Sequence, residues 1–395
     1  MSQVIIDKIK SLSDQYFEEV RGIRHHLHMN PELSYVEQET GKYICKQLDS
    51  WGIEYQYPVA DNGIVAILHG SEAGPVRALR ADIDALPIQE ENDVPYKSQN
   101  PGIMHACGHD VHTSSALGAV KILNELKNEW KGTIKVLFQP AEEKLPGGAS
   151  IMIREGALKN PEPTYIVGQH VHPPLAAGKI GLRPETYMAS ADEVYLIIHG
   201  RGGHAALPQD VVDPILVASN ILVQLQQVIS RKSIPNVPNV LSFGKINSDG
   251  GATNVIPERV FIEGTFRTMD EKWRMEAHEH IRRIATKVAE SMEATCEVDI
   301  RVGYPCLYND IEATSRVKQL AIDYLGLENV IDLPIRMTAE DFAYYSQEMP
   351  ACFYRLGTGN VEKGITSPVH TPTFDIDEEA LKVGMGFMAY SVIGE

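Results

Sequence analysis

Strand-length apolar runs alternate with stretches of helical periodicity through the first half of this 395-residue chain. That alternation restricts it to an α/β layer architecture built on a mostly parallel sheet. The runs are IVAILHG at 64–70, VRALRAD at 76–82, TIKVLFQ at 133–139 and YIVGQHV at 165–171, with a helix expected across Ser114–Leu126. Ahead of them Ile5, Ile9, Leu12, Tyr16, Val20, Ile23 and Leu27 recur every three or four residues, which marks an amphipathic helix ending near Asn30-Pro31. Polar residues with chemical uses follow several strands directly, in RADIDALP, QPAEE and GQHVHP. Ligand sites of open α/β sheets gather at the carboxyl ends of the strands, so an active site is expected there.

The pattern changes from about residue 186. EVYLIIHG reads as a strand, and Ile215, Ala218, Leu222, Leu225 and Ile229 form one helix face. NVLSFGKI and RVFIEGTFRT are further strands, Trp273 to Met292 carries a second helical stripe, and CEVDIRV closes the segment. The order β-α-β-β-α-β is that of a ferredoxin-like α+β domain. Residues 186–303 are therefore expected to form a smaller domain inserted into a larger one built from 1–185 and 304–395.

Composition narrows the function. Lysine and arginine total 36 against 53 acidic residues, a net charge of −17, and a surface that acidic repels phosphate backbones. Nucleic-acid binding is not expected. No run approaches the roughly 18 apolar residues of a membrane span, and the opening MSQVIIDKIKSLSDQ lacks the basic cap and apolar core of a secretory signal. Five scattered cysteines argue against a disulfide scaffold. A cytoplasmic protein with no membrane partner is the expectation.

The densest chemical feature is MHACGHDVHT, which packs His105, Cys107, His109, Asp110 and His112 into eight positions. Thiolate and imidazole together suit zinc and similar divalent ions, but a His–Cys pair cannot complete a coordination shell. Glu142-Glu143 in QPAEE, His170 and His172 in GQHVHP, and His370 between Pro368 and Pro372 are the other candidates. Adjacent carboxylates allow one to bind metal while the other accepts a proton from water. Metal-assisted hydrolysis of an amide is the chemistry such a set serves.

RADIDALP, MHACGHDVHT, QPAEE, GQHVHP, GRGGHAALP, TNVIP, EDFAYY and HTPTFDIDE stand in the order found in a family of metal-dependent aminoacylases and carboxypeptidases. The chain resembles most its amidohydrolase branch, which includes hippurate hydrolase, indoleacetyl-amino-acid hydrolases and N-acetyldiaminopimelate deacetylase. The resemblance implies two divalent ions, zinc or manganese, bridged by Cys107. His109 and His170 would complete one ion's shell, and Glu143 and His370 the other's. It also implies Glu142 as general base and Asp84, or Asp82, as the carboxylate that orients a metal-binding histidine.

In the same family the inserted domain is a lid and often a dimer contact. His204 would then reach from a partner subunit to stabilise an oxyanion, while Asn254 and Arg267 would bind the substrate's carbonyl and carboxylate. The implied reaction is deacylation of a small-molecule N-acyl amino acid by a homodimer. Cleavage of dipeptides or of a C-terminal residue is the nearest alternative, and a non-catalytic metal-binding module a more distant one. Gln209 stands where a histidine is common and Thr338-Ala339 where Gly-Ser is usual, so the substrate preference of no single member is carried over.

Overall fold

Four parallel strands, Thr133–Gln139, Val76–Asp82, Ile166–Ala176 and Ala351–Gly359, form the centre of an eight-stranded sheet in the computed structural model, which describes residues 2–394. Glu54–Val59 and Gly63–His69 add an antiparallel hairpin at one side. Ile180–Leu182 and Val330–Asp332 extend the other, the first antiparallel to Ala351–Gly359. All nine residues of Ala351–Gly359 are buried, and so are six of seven in Thr133–Gln139. Covered on both faces, such strands read as continuous apolar runs and not as alternating ones.

This sheet belongs to the larger of two units, made of residues 2–185, 308–334 and 341–394. Its core packs helix Ser2–Met29 with His109–Glu125 and Ala380–Ile393 through Val20, Ile23, Leu117, Val120, Met385 and Phe387. A Cβ on Gly118 would lie 2.8 Å from Met385 Cβ and 3.0 Å from Val20 Cγ2, so glycine permits these helices their close approach. Helix His109–Glu125 begins five residues earlier than apolar periodicity suggests. Its first turn holds His109, Asp110 and His112, all buried polar residues, which carry no hydrophobic signal to read. Among the described residues no helix is long and apolar enough to cross a membrane.

The smaller unit comprises Thr186–Leu307 and Ile335–Glu340. Its sheet runs in the order Asn239–Ser248, Arg259–Thr268, Asp192–His199 and Thr295–Val302, antiparallel throughout. With helices Pro214–Gln227 and Glu271–Ser291 this is the β-α-β-β-α-β arrangement. Strand Asp192–His199 alternates buried and half-buried positions, as expected where one face packs on helices. Val194, Leu196, Ile198, Ile221, Phe266 and Ile281 form a core of its own. Asp213 and Asp270 accept backbone N–H groups at the two helix starts.

A buried ionic cluster ties this unit together. Asp192 accepts from Arg274 Nε at 2.9 Å, His278 Nε2 at 2.7 Å and the Gly303 amide at 3.0 Å. Burial alone would raise the Asp192 carboxyl, but hydrogen bonds from His278 and Arg274 hold it below the usual carboxylate range. Asp192→Ala would leave the Arg274 guanidinium only Glu271, at 3.0 Å, and the Gly303 carbonyl as partners, and should cost about 1–3 kcal/mol, read by chemical denaturation. Because the folded pKa lies below an unfolded value of about 3.9, wild type should lose this advantage as pH falls below that value. A variant as stable as wild type at neutral pH would show that the cluster contributes nothing.

Candidate metal centre

The parallel strands point their carboxyl ends the same way, and the chemically useful side chains leave from that edge. Asp82 closes one strand and Asp84 follows it. Gln139 closes the next, followed by Glu142 and Glu143, while His170 lies within a third. Helix His109–Glu125 and the loop before it bring His109 and Cys107 to the same edge. The loop after Ala351–Gly359 returns His370, whose backbone N–H bonds Ala106 C=O at 2.7 Å. His370 and Ala141 both adopt positive φ, 64° and 52°, a conformation that non-glycine residues keep only where their surroundings impose it.

Cys107 Sγ lies 3.4 Å from His170 Nε2 and 3.2 Å from His370 Nε2. Glu143 Oε1 is 3.4 Å from His370 Nε2 and 3.9 Å from His109 Nε2. Two sets of ligand atoms, Cys107–His109–His170 and Cys107–Glu143–His370, are each gathered within 4.8 Å and share the thiol. His109, Glu142 and Glu143 form another such set. All the residues expected to ligate metal thus come together, with His370 as the exposed member. Among the described residues His170, and not His172, takes part.

These donors fit a cation. His109 Nε2 and Glu143 Oε1 are buried without a hydrogen-bond partner, and leaving such atoms unpaired costs about 1–3 kcal/mol each. Burial, with Glu143 and Glu142 next, pushes the Cys107 thiol well above its ordinary value. A bound cation reverses that preference and draws out the thiolate. Burial opposes charge on His109, yet Asp82 and Asp84 raise it to about 10, a sign of how much negative charge converges here. Burial, then Arg355, lowers His170 well below its ordinary value and leaves it neutral.

Orientation comes from a second layer of contacts. Asp84 Oδ1 accepts from His109 Nδ1 at 3.1 Å, and Oδ2 accepts from Ser34 Oγ at 2.7 Å and the Glu143 amide at 3.0 Å. One carboxylate therefore aims two of the donors. Asp82 instead pairs with Arg80 Nη1 and His112 Nδ1, both at 2.5 Å. Of the two aspartates it is Asp84 that grips the far nitrogen of a ligand histidine.

The centre also uses residues to which sequence reasoning assigned no role in it. Fully buried Arg80 donates Nη2 to Asp341 Oδ1 at 2.8 Å and Nε to Gln139 Oε1 at 2.8 Å. Gln139 Nε2 meets Asp341 Oδ2 at 2.7 Å, and the Asp341 amide points to Glu142 Oε1 at 3.4 Å. The available signal was a charged residue inside a strand buried on both faces, which must have a partner. MHACGHDVHT, by contrast, divides its residues. Asp110 bonds Arg24 Nε and His28 Nδ1, each at 2.8 Å, and His105 is buried with neither ring nitrogen hydrogen-bonded, its pKa lowered by burial to about 4.

In the smaller unit His204 is exposed on the two-residue strand Gly203–His204, opposite Val255. Asn254 is beside it, its carbonyl accepting from the Ala205 amide at 3.0 Å. Half-buried Arg267 donates Nη1 to Met337 C=O at 3.2 Å.

Residues 78–393 match the family model of peptidase family M20/M25/M40. The chain is 40% identical over 380 residues to IAA-amino acid hydrolase ILR1-like 4 of Arabidopsis thaliana, covering 95% of this chain and 85% of that one. It is 41% identical over 361 residues to N-acetyl-L-cysteine deacetylase of Bacillus subtilis, covering 91% and 84%. A Bacillus subtilis crystal structure, described as a dinuclear metal binding peptidase, superposes with a TM-score of 0.82 at 35% identity over 96% of this chain and 98% of that one.

Gly108 supplies a test of the centre's packing. It has φ +83°, and a Cβ there would lie 2.6 Å from Val171 Cγ2, beside His170. Gly108→Ala should displace that strand and weaken zinc binding by about 10-fold or more, measured by competition with a chelator. Wild-type affinity in this variant would show that the contact does not set the ligand geometry.

Proposed function

We propose that this chain, which belongs to peptidase family M20/M25/M40, hydrolyses the amide bond of N-acyl amino acids to a carboxylate and a free amino acid. The observation that carries the reading is the pair of ligand sets sharing Cys107, with Glu142 beside them. Cys107 would bridge two divalent ions, zinc or manganese, with His109 and His170 on one and Glu143 and His370 on the other. When bound, such ions lower the pKa of water to about 7 and polarise a carbonyl oxygen.

Glu142 collects the proton of the attacking water and hands it to the leaving nitrogen. Its carboxylate is steadied by the Asp341 amide, and Asp341 by Arg80 and Gln139. Asp84 accepts from His109 Nδ1, so that a bound cation would displace the proton of Nε2 and take up its lone pair. Asn254 and Arg267 bind the substrate's carbonyl and carboxylate. His204 stabilises the oxyanion, reaching from a partner subunit in a homodimer formed through residues 186–303, which also act as the lid. Exposure of His204 supports a role toward something outside its own unit.

Relatives whose names specify IAA-amino acids and N-acetyl-L-cysteine support an N-acyl amino acid as substrate. A thiol ligand among five free cysteines suits a reducing cytoplasm.

Glu142→Gln should lower amide hydrolysis by about 10²–10⁴-fold while metal content stays at the wild-type level. Unchanged turnover would remove Glu142 from the reaction. Cys107→Ala or His370→Ala should instead lower metal stoichiometry by elemental analysis. Release assays across N-acetyl, N-benzoyl and indoleacetyl amino acids and plain dipeptides, with zinc, manganese or a chelator, decide the substrate class. Preference for dipeptides would replace the aminoacylase reading by a peptidase one. An enforced monomer should keep its metal and lose activity, and a fully active monomer would refute the contribution in trans.

A further inference from the structure

We infer that His112, which is not one of the proposed ligands, is a positioning residue that fixes the tautomer and aim of His170 by gripping the Val171 amide. The inference rests on the reading of His170 as a cation ligand.

The direction of each hydrogen bond follows from what its partners can do. A backbone N–H only donates, and the Val171 amide reaches His112 Nε2 at 2.8 Å. That nitrogen must therefore carry a lone pair, so His112 is neutral with its proton on Nδ1. Nδ1 lies 2.5 Å from Asp82 Oδ1, which accepts that proton. Asp82 cannot turn away, because its other oxygen accepts from fully buried Arg80. A carbonyl only accepts, and His170 Nδ1 stands 2.8 Å from Val171 C=O. The proton of His170 thus sits on Nδ1, and Nε2 presents its lone pair toward Cys107 Sγ.

Val171 is held at both of its backbone polar groups, by His112 at the amide and by His170 at the carbonyl. Turning the residue would break one bond or the other. The strand needs this help at this point. Pairing of Ile166–Ala176 with Val76–Asp82 ends at Gly168, so beyond it His112 stands where a strand partner would. The rings of His112 and His170 also pack together, with centroids 4.7 Å apart. Both nitrogens of His112 are committed, so it cannot take up an ion without releasing Val171.

The decisive measurement is long-range ¹⁵N–¹H correlation of the imidazoles in metal-free protein labelled with ¹⁵N-histidine. His112 and His170 should both be neutral Nδ1–H tautomers. His112→Ala should change the His170 signals, whereas His112→Gln, whose Oε1 can accept from Val171, should restore them. Asp82→Asn places an NH₂ group against either Arg80 or His112, and should shift both rings. Zinc titration should then show one of two equivalents weakened about 10–100-fold in His112→Ala and recovered in His112→Gln. A proton on His112 Nε2, or His170 signals indifferent to His112→Ala, overturns the inference. Should His112→Ala not fold, the wild-type tautomers and the Asp82→Asn shifts decide the question alone. Full zinc stoichiometry in His170→Ala would sink the ligand reading itself, a failure distinct from a wrong tautomer.

Discussion

Buried negative charge must be matched by buried positive charge or by hydrogen bonds, and the larger unit is arranged around that requirement. Asp82, Asp84, Asp110, Glu142 and Asp341 are all buried. Arg80 bridges Asp82 and Asp341, and Arg24 pairs with Asp110, so two guanidinium groups answer part of the demand. Near Cys107 the matching stays incomplete, with a ring nitrogen of His109 and a carboxylate oxygen of Glu143 left without a hydrogen bond. A cation is the one kind of group that would satisfy thiol, imidazole and carboxylate together.

The sheet makes this convergence possible. Parallel strands send successive loops out at one edge, so residues far apart in sequence arrive together without any long connection crossing the core. The same edge explains the division of labour between Asp82 and Asp84. Asp82 is the last residue of its strand, still within the buried layer where Arg80 lies two residues back. Asp84 is past the strand end, where its two oxygens can reach Ser34, His109 and the Glu143 amide.

Much of this was legible before any coordinates. The strands, the amphipathic first helix and the β-α-β-β-α-β segment follow from apolar periodicity, because burying one stripe or one face leaves a repeat in the residue order. Cys107, His109, Glu143, His170 and His370 were among the candidates by type and placement, as were His105, His112 and His172, and it was the resemblance to a known family that singled them out. Arg80, Gln139 and Asp341 did not stand out, since a single polar residue within a strand, at its end or in a turn leaves no repeat. Their importance lies in pairings 59 to 261 residues apart.

What the sequence by itself determined is the class of fold and the kind of chemistry, because both depend on residue types and local spacing. Only the tertiary structure decided which residues of MHACGHDVHT act together. Helix His109–Glu125 and the preceding loop turn Cys107 and His109 toward Glu143 and His170, give His112 to Asp82 and Val171, and send Asp110 to Arg24 and His28. Hydrogen-bond direction and charge matching act through space over a few ångströms, and nearness in the chain does not fix which neighbours lie within that distance.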